Sequence, residues 1–449
     1  MTLALPRPAP GDMDAGDAAG FLSRPTQLER AVLVVTLITF AWGTPLEWAT
    51  FAQGSRPTSS ALTQLIFLAL FGCSVLALNG NWHVVRRAAS REPILPAIIA
   101  IATISTLWSS QPAGTLQEGL VLAVSYVVAM HLVVRFTPHE ILHMLAIVFS
   151  FGAVLSLVAA VAFSQGSGPA LSISTGGGAD AAWNGITAQR NALGRAAVLG
   201  FVCCCLNARV RGSRLVWPGF ALIHVVLLLG SNSATSLGAF FGVCTLAVVL
   251  LGFRARKTLY GATFVAMSII FGSLTSIAAT DLGSVTGFLG RDTTFTGRVP
   301  LWQTAIQYGI SEHPWLGYGW QGFWTNDDAS FEVILHSGYD APHAHNWFID
   351  VWLMIGPIGS ILSLALFLRA LVWSTRYIRA YPTTIGLFPA LIVSLAVVYS
   401  LTEAGFISRS IQFIMLIVAS THAATMKNSP RRRIVSTDVG GVTEREPVA

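Results

Sequence analysis

The chain has 449 residues, of which 53% are hydrophobic and 11% are charged, and its formal net charge is +6. Soluble domains carry about 25% charged residues, so this composition supplies too few charges to cover a protein of this length in water. A soluble globular fold is therefore excluded, and an integral membrane protein is predicted.

Apolar runs of about 18 or more residues recur along the chain, and this is the length of a membrane-spanning helix. In lipid the backbone must satisfy its own hydrogen bonds, so the runs are predicted to be helical, and no strand-like alternation is seen. We predict an all-α polytopic membrane protein with about 12 transmembrane helices. The predicted spans are roughly 29–45, 61–79, 93–110, 117–135, 141–164, 191–208, 215–231, 236–253, 258–280, 345–368, 383–402 and 406–425.

The spans divide the chain into a cytoplasmic N-terminal tail (1–28), a transmembrane domain (29–425) and a basic cytoplasmic tail (426–449). The first apolar run begins at Ala31 and is expected to act as an uncleaved signal anchor, because no small-residue cleavage site follows an apolar core. The five cysteines all lie within apolar runs, so they are expected to be packing residues.

Basic residues are concentrated in alternate loops, which sets the orientation of the chain. With both termini in the cytoplasm, the inside loops carry Arg86, Arg87, Arg91, Arg135, Arg209, Arg211, Arg214, Arg254, Arg256, Lys257, Arg369, Arg376 and Arg379. The short outer loops carry few basic residues. The positive charge is thus attributed to membrane topology and anionic lipid, and nucleic-acid binding is not predicted.

Two outer loops are long, at roughly 165–190 and 281–344, and long ordered loops are commonly functional. The second combines several histidines, arginines and aromatic residues. Within it, Thr296 to Ile310 is predicted to form a helix with Pro300 in its first turn, and this helix would lie flat at the membrane surface.

The string PHAHNWFID places His343, His345 and Asn346 where the second long loop enters the tenth span. A histidine there could accept a proton, or the group could be an interfacial anchor or a helix N-terminal cap. The histidine spacing does not suit two ligands on one helix face, and no further histidine or carboxylate has a matching spacing, so no metal site is predicted.

Two groups of arginines suit the binding of phosphate, because a guanidinium grips oxygens with two donors and stays charged. Arg298 and Arg291 lie in the second long loop, and Arg190 opens the sixth span beside Asn191. Arg195 lies deeper in that span, where an ionisable group is a functional hypothesis unless its side chain reaches outward.

Other polar residues near the outer side are ambiguous. Asp350 could orient a neighbour or pair with an arginine, and Glu403 and Arg409 could pair with each other. The cluster that contains Ser231 and Ser236 is expected to cap helices.

Two strings, TGRVPLWQTAIQYGISEHPWLGYGWQGFW and APHAHNWFIDVWLMIGPIG, resemble the signature of the O-antigen ligase and polymerase superfamily. The matching residues are Gly297, Arg298, Leu301, Trp302, His313, Pro314, Leu316, Gly317, Gly319, His345, Asn346, Gly356 and Gly359. AQRNALGR resembles the family's Lys/Arg-Asn-x-x-Gly element, and GSNSATSLG resembles its Ser-rich turn. Ala234 stands in that turn where members often carry Lys or Arg, which puts a basic contact from the turn in doubt.

The resemblance implies a GT-C-like glycosyltransferase of the cell inner membrane that acts at the outer face without metal or cofactor. It implies a polyprenyl-diphosphate-linked glycan as donor and a glycan or lipid-core hydroxyl as acceptor, with polysaccharide export or chain-length proteins as further partners. It assigns catalysis to His345 and Arg298. Substrate or diphosphate binding is carried over to Arg190, Arg291, Asn346, Asn191, Trp302, His313 and His343.

Three functions stay open at this point. The Ser-rich turn and the AQRN element favour an exopolysaccharide polymerase over an O-antigen ligase. A transporter or lipid-linked saccharide flippase has a similar helix count, but its polar residues would gather near the midplane on broken helices. A scaffold without catalytic activity is the third.

Overall fold

The computed structural model describes residues 25–44, 61–162, 182–187, 189–211, 215–252, 298–324, 327–338, 343–381, 383–403 and 406–425. These residues fall within one contact unit, 24–425. They form fourteen α-helices and no strand, so the all-α prediction is confirmed for this part of the chain.

The helices follow one another with short connections through most of the described chain. They are α1 (Gln27–Trp42), α2 (Ala61–Ala77), α3 (Trp82–Arg91), α4 (Ile94–Ile104), α5 (Pro112–Arg135), α6 (Pro138–Ala162), α7 (Arg190–Arg211), α8 (Val216–Gly230), α9 (Ala234–Gly252), α10 (Arg298–Thr304), α11 (Asp327–Ser337), α12 (Trp347–Ala380), α13 (Leu387–Thr402) and α14 (Ile411–Thr425).

Six helical segments are long and apolar enough to cross a membrane, and a seventh is a pair, α2 and α3, bent by 100°. The six are Pro112–Arg135, Pro138–Ala162, Arg190–Val210, Ala234–Leu251, Trp347–Ala380 and Thr384–Thr402. Shorter apolar helices occupy Ile94–Leu107, Val216–Gly230 and Ile411–Thr425. A polytopic membrane protein is therefore supported. The ninth predicted span, 258–280, lies outside the described residues, and the total of twelve stays a prediction.

The predicted helix at 296–310 is present in its described part, and its position at the membrane surface stays a prediction. Residues Arg298–Thr304 are α-helical, and Ala305–Ile310 continue as a π-helix. Gly309 faces Leu353 of α12 so closely that an added Cβ would lie 2.5 Å from its Cδ2. This helix therefore packs against α12.

A break in α12 anchors the rest of this loop. Gly356 has a φ of 70° and Pro357 follows it, so the helix is interrupted. Because proline has no N–H, the carbonyl of Leu353 loses its helical donor. That carbonyl accepts instead from the N–H of Tyr318 at 2.8 Å, and the carbonyl of Met354 accepts from Gly319 at 2.9 Å.

Helix α13 lies at the centre of the described bundle, and nearly all of its residues are buried. It packs against α7, α9, α12 and α14. Glu403 follows its last residue and is itself only 4% exposed. A carboxylate is thereby placed at the buried end of the most enclosed helix.

An ion-pair cluster joins the first turn of α1 to the last turn of α5. Glu29 accepts from Arg135 Nε at 2.8 Å and from Nη2 at 2.9 Å, and Nε2 of His131 lies 3.1 Å from the same carboxylate. Such a two-pronged pair fixes the orientation of both side chains as well as their distance.

Candidate active site

Glu403 is the centre of the candidate site, because three segments far apart in sequence meet at its carboxylate. Nδ1 of His345 lies 3.3 Å from Oε2. Nη2 of Arg298 lies 3.4 Å from Oε1, and Nδ2 of Asn191 donates to Oε1 at 3.3 Å. The first turn of α7, the first turn of α10 and the segment before α12 therefore converge on the end of α13.

Arg298 is fixed by two contacts to α13. Besides the carboxylate of Glu403, its Nη1 donates to the carbonyl of Thr402 at 2.6 Å. The last carbonyls of a helix lack intrahelical donors and carry partial negative charge, so a guanidinium is stabilised there. The side chain of Arg298 is 12% exposed, which leaves it reachable from solvent.

The peptide unit of Ala344 is held from both sides, and this holds the two neighbouring histidines. Its N–H donates to Oδ1 of Asp350 at 2.9 Å, and its carbonyl accepts from Nε1 of Trp302 at 2.7 Å. The carboxylate of Asp350 also accepts from the indole N–H of Trp324 at 2.7 Å. Asp350 is fully buried, so these contacts are shielded from water.

His345 itself has a strained backbone, with a φ of 51°. A non-glycine residue in the left-handed region is held there by its surroundings, and such residues cluster at functional sites. Its N–H donates to Nδ1 of His343 at 3.3 Å, and the two rings are in edge contact with centroids 4.2 Å apart. The clamp on Ala344 and this contact supply the restraint.

The ionisation of the site follows from burial and from these charges. Burial alone would raise the pKa of Glu403, but the hydrogen bond and charge of His345, with the guanidinium groups of Arg195 and Arg298, lower it to about 2. Burial, followed by the charge of His345, lowers the pKa of His343 to about 4. At neutral pH the site therefore holds an ionised carboxylate and a neutral His343.

The Ser-rich turn forms another wall of this region. An added Cβ on Gly194 in α7 would lie 2.8 Å from Oγ of Ser236 and 2.9 Å from Oγ of Ser231. Gly194 therefore permits the turn to approach the first turns of α7. The turn and the AQRN element, which are separate in sequence, are packed together.

Comparison with known proteins finds a matching family over part of the chain. Residues 219–364 match the family described as O-Antigen ligase. The matched segment covers about one third of the chain. The predicted resemblance to that superfamily is thereby confirmed.

A curated relative extends the comparison. The chain is 34% identical over 196 residues to the "Exopolysaccharide production protein ExoQ" of Rhizobium meliloti (strain 1021). That alignment covers 40% of this chain and 43% of the relative. The aligned part therefore spans less than half of either protein.

The matched segment, 219–364, contains Arg298, His343, His345 and Asp350, whereas Asn191 and Glu403 lie outside it. Several of its glycines have a structural role. Gly317 has a φ of 64°, and an added Cβ on Gly356 would lie 1.9 Å from the carbonyl oxygen of Trp315. These positions allow the loop to sit on the broken α12.

The remaining predicted residues are placed as follows. The side chain of Asn346 caps α12 by accepting from the N–H groups of Phe348 and Ile349, which is the helix-terminal alternative considered from the sequence. Arg190 is exposed at the first residue of α7. Roles for both in substrate binding stay predictions.

His313 and Arg291 are the two remaining residues that the sequence predicted for the site. His313 is exposed, and its ring packs on Tyr318 with centroids 4.4 Å apart, so no contact in the described part of the chain joins it to Glu403. Arg291 lies outside the described residues.

The sequence did not identify Glu403 as a site residue and suggested a pair with Arg409. The structure gives the carboxylate other partners, namely His345, Arg298 and Asn191. A carboxylate at the end of an otherwise apolar span was the available signal. What the sequence could not show is which of the many polar groups outside the apolar spans that carboxylate contacts.

The structure brings to the two histidines a carboxylate that sequence spacing did not indicate. Donor atoms of His343, His345 and Glu403 lie within 4.8 Å of one another, and two histidines with one glutamate are a donor set that zinc accepts. However, Arg298 and Asn191 already hold one oxygen of Glu403, and guanidinium charge repels a cation. The arrangement therefore favours an anion over a metal ion.

Proposed function

We propose that this protein is a membrane glycosyltransferase that polymerises surface polysaccharide from a polyprenyl-diphosphate-linked glycan. The observation that carries the proposal is the meeting of His345, Arg298 and Asn191 at the buried carboxylate of Glu403. The family match and the relative named for exopolysaccharide production support the substrate class.

In the proposed reaction His345 is the general base. Glu403 holds Nδ1 of the ring and so orients it, and Nε2 is the atom that accepts the proton of the acceptor hydroxyl in this proposal. The oxygen of that hydroxyl then forms a bond to the anomeric carbon, while the bond from that carbon to the diphosphate breaks. Attack from the face opposite the leaving group inverts the anomeric configuration.

Arg298 stabilises the leaving group in this proposal. The diphosphate departs with the electron pair of the broken bond, so negative charge develops on its oxygens, and fixed donors lower the barrier by binding that charge. Arg298 is held on the end of α13 in the same cluster as His345. Arg190 and Arg291 are the further arginines assigned to the diphosphate.

Asp350 and Trp302 position the base in this proposal. They hold the N–H and the carbonyl of Ala344, the residue before His345. Catalysis by proton transfer depends on a fixed geometry, so loosening this clamp would lower the rate.

The proposal places the site at the outer face of the cell inner membrane, with both termini in the cytoplasm and a GT-C-type fold. The charge distribution of the loops supports that orientation. The acceptor is a growing glycan, and polysaccharide export or chain-length proteins are the proposed partners. The O-antigen ligase family match favours one second candidate, transfer of the glycan to a lipid-core acceptor.

A deletion strain tests the proposal and separates the two candidates. Cells without the protein are expected to lose long surface polymer while single repeat units remain, and the wild-type gene restores the polymer. Completed polymer that accumulates on its lipid carrier would indicate the ligase instead. Unchanged surface glycan and unchanged lipid-linked intermediates would refute both.

A further inference from the structure

A cluster of arginines lies on α3 and α12, apart from the residues of the candidate active site. It consists of Arg86, Arg87 and Arg91 on α3 with Arg369 and Arg376 on α12, and we call it the basic patch. We propose that the basic patch binds the headgroup phosphates of anionic phospholipids. The inference goes beyond the proposed function and does not depend on it.

The geometry of α3 is that of a helix lying along a membrane surface. α2 is a candidate part of a span, and α3 is bent by 100° from it after a turn at Gly80, which has a φ of 80°. If α2 crosses the bilayer, α3 must run near its plane. Val85 and Ala88 are buried against Met130 of α5, so the other face is left exposed.

The exposed face of α3 carries the first part of the basic patch. Arg86, Arg87 and Arg91 are all exposed, and Trp82 at the start of the helix is 39% exposed. Indole rings beside arginines are typical of the membrane–water interface. This surface therefore has the composition of a lipid headgroup contact.

Hydrogen bonding joins α3 to the second part of the basic patch on α12. Arg369 donates through Nη2 to the carbonyl of Arg91 at 2.7 Å, across 278 residues of sequence. It also pairs with Glu92, whose carboxylate is buried and is the only one between residues 78 and 92. The segment 78–92 therefore carries three exposed arginines and one carboxylate, which is buried.

A tryptophan extends the basic patch along α12. The guanidinium carbon of Arg369 lies 5.7 Å from the ring centroid of Trp373, and that of Arg376 lies 4.6 Å from it. Both guanidinium groups therefore contact the same indole ring, which places two positive charges and an aromatic ring on one part of α12.

An exposed apolar stripe makes a phospholipid a better fit than a soluble acid. Leu364, Leu368 and Val372 are exposed by 49%, 55% and 47%, and they recur every fourth residue on the face that leads to Arg376. From Leu364 to Arg376 this stripe is about 18 Å long at 1.5 Å per residue. An acyl chain can lie along it while the phosphate reaches the basic patch.

The test uses the purified full-length protein in detergent with added phosphatidylglycerol or phosphatidylcholine of equal chain length. The apparent Kd of each lipid is measured from the lipid-dependent rise in the unfolding temperature. The wild type should prefer phosphatidylglycerol. Arg86→Gln with Arg376→Gln should weaken its binding about 25-fold at low salt, at about fivefold for each arginine near the headgroups.

Two matched variants serve as controls. Arg86→Lys with Arg376→Lys keeps the charge and should retain most of the preference. Arg209→Gln with Arg409→Gln removes the same amount of charge from other exposed positions. This pair should leave the preference for phosphatidylglycerol unchanged. All these side chains are at the surface, so folding should be preserved, and a single symmetric elution peak checks this.

The proposal is overturned if the wild type binds both lipids equally, or if both glutamine pairs weaken phosphatidylglycerol binding to the same extent. Soluble polyglutamate is the competing probe. If it binds with the same dependence on Arg86 and Arg376 while no lipid preference exists, the patch is a protein-binding surface and the lipid proposal is wrong.

Discussion

Replacing Glu403 with glutamine is the sharpest single perturbation of the candidate active site. The change keeps the shape of the side chain and one acceptor oxygen, but it removes the negative charge that His345 and Arg298 share. Because Glu403 is 4% exposed, water cannot replace the lost interaction. Both the stability of the protein and the rate of transfer are therefore expected to fall.

The expected loss of stability follows from the pKa of the carboxyl. Its usual value is 4.5 and its value in the folded protein is about 2. At 1.36 kcal/mol per pH unit, this difference corresponds to about 3 kcal/mol of net stabilisation of the ionised form. Because the folded-state pKa is the lower one, this stabilisation is present above about pH 4.5 and is lost as the pH falls through about 2. The Glu403→Gln variant lacks it at neutral pH.

The expected loss of activity is larger. In serine proteases a carboxamide in place of the carboxylate beside the catalytic histidine lowers kcat about 10⁴-fold. We expect Glu403→Gln to lower the rate of transfer by about 10²- to 10⁴-fold, since the tautomer and orientation of His345 are no longer fixed. The assay follows elongation of a lipid-linked repeat unit by the purified protein in proteoliposomes. Glu332→Gln, which removes an exposed carboxylate paired with His336, is the matched control.

The reasoning is refuted if Glu403→Gln elongates glycan at the wild-type rate while the protein is folded and present at the same level. It is also refuted if Glu332→Gln loses as much activity as Glu403→Gln. Loss of stability without loss of activity would leave Glu403 as a structural residue only.

Four further outcomes are expected. Arg298→Lys should lower kcat/KM at least about 10²-fold. A lysine ammonium lacks the planar set of donors with which a guanidinium can bind the end of α13 and a diphosphate together. Initial rates measured over a series of donor concentrations test this. Trp302→Phe should lower kcat about 5- to 10-fold with little change in KM, because it removes a hydrogen bond worth about 1 kcal/mol to the residue before His345. Asp350→Asn should retain most of the activity, because its amide oxygen can accept both bonds, whereas Asp350→Leu should lose it. Glu29→Gln should lower the free energy of unfolding by about 2 kcal/mol, because it weakens the hydrogen bonds that Arg135 donates to a partly buried carboxylate, and thermal unfolding measures this.

Three of these outcomes have results that would contradict them directly. Full activity of Arg298→Lys would show that the fork geometry is not needed. Equal loss in Asp350→Asn and Asp350→Leu would mean that the charge, and not the accepted hydrogen bonds, matters. An unchanged unfolding temperature for Glu29→Gln would show that this pair adds no net stability, as is true of many ion pairs at surfaces.

Much of the helical architecture follows from the apolar runs, since helices occur at eleven of the twelve predicted spans and the ninth lies outside the described residues. The break in α12 could also be anticipated at Gly356 and Pro357. The residue that contacts this break could not be predicted. No local feature of the sequence indicates that the N–H of Tyr318 donates to the carbonyl of Leu353, which has lost its helical donor.

The candidate site was partly predictable for a similar reason. His345 and Arg298 stand in recognisable strings, so their selection needed only sequence. Glu403 was missed because its contacts cross 58 residues to His345 and 105 residues to Arg298. Asn346 shows the opposite case, because a residue that matches a family string has a local role as a helix cap. Long-range pairing of polar groups is decided by packing, which a single sequence does not specify.

Transfer by the purified His345→Ala variant tests the central claim most directly. In proteoliposomes that contain a lipid-linked repeat unit and an acceptor glycan, the wild-type protein should lengthen the glycan, and the variant at equal amount should do so at least about 10²-fold more slowly, the usual contribution of a general base. Lengthening at the wild-type rate by His345→Ala would contradict the assignment of this cluster as the active site.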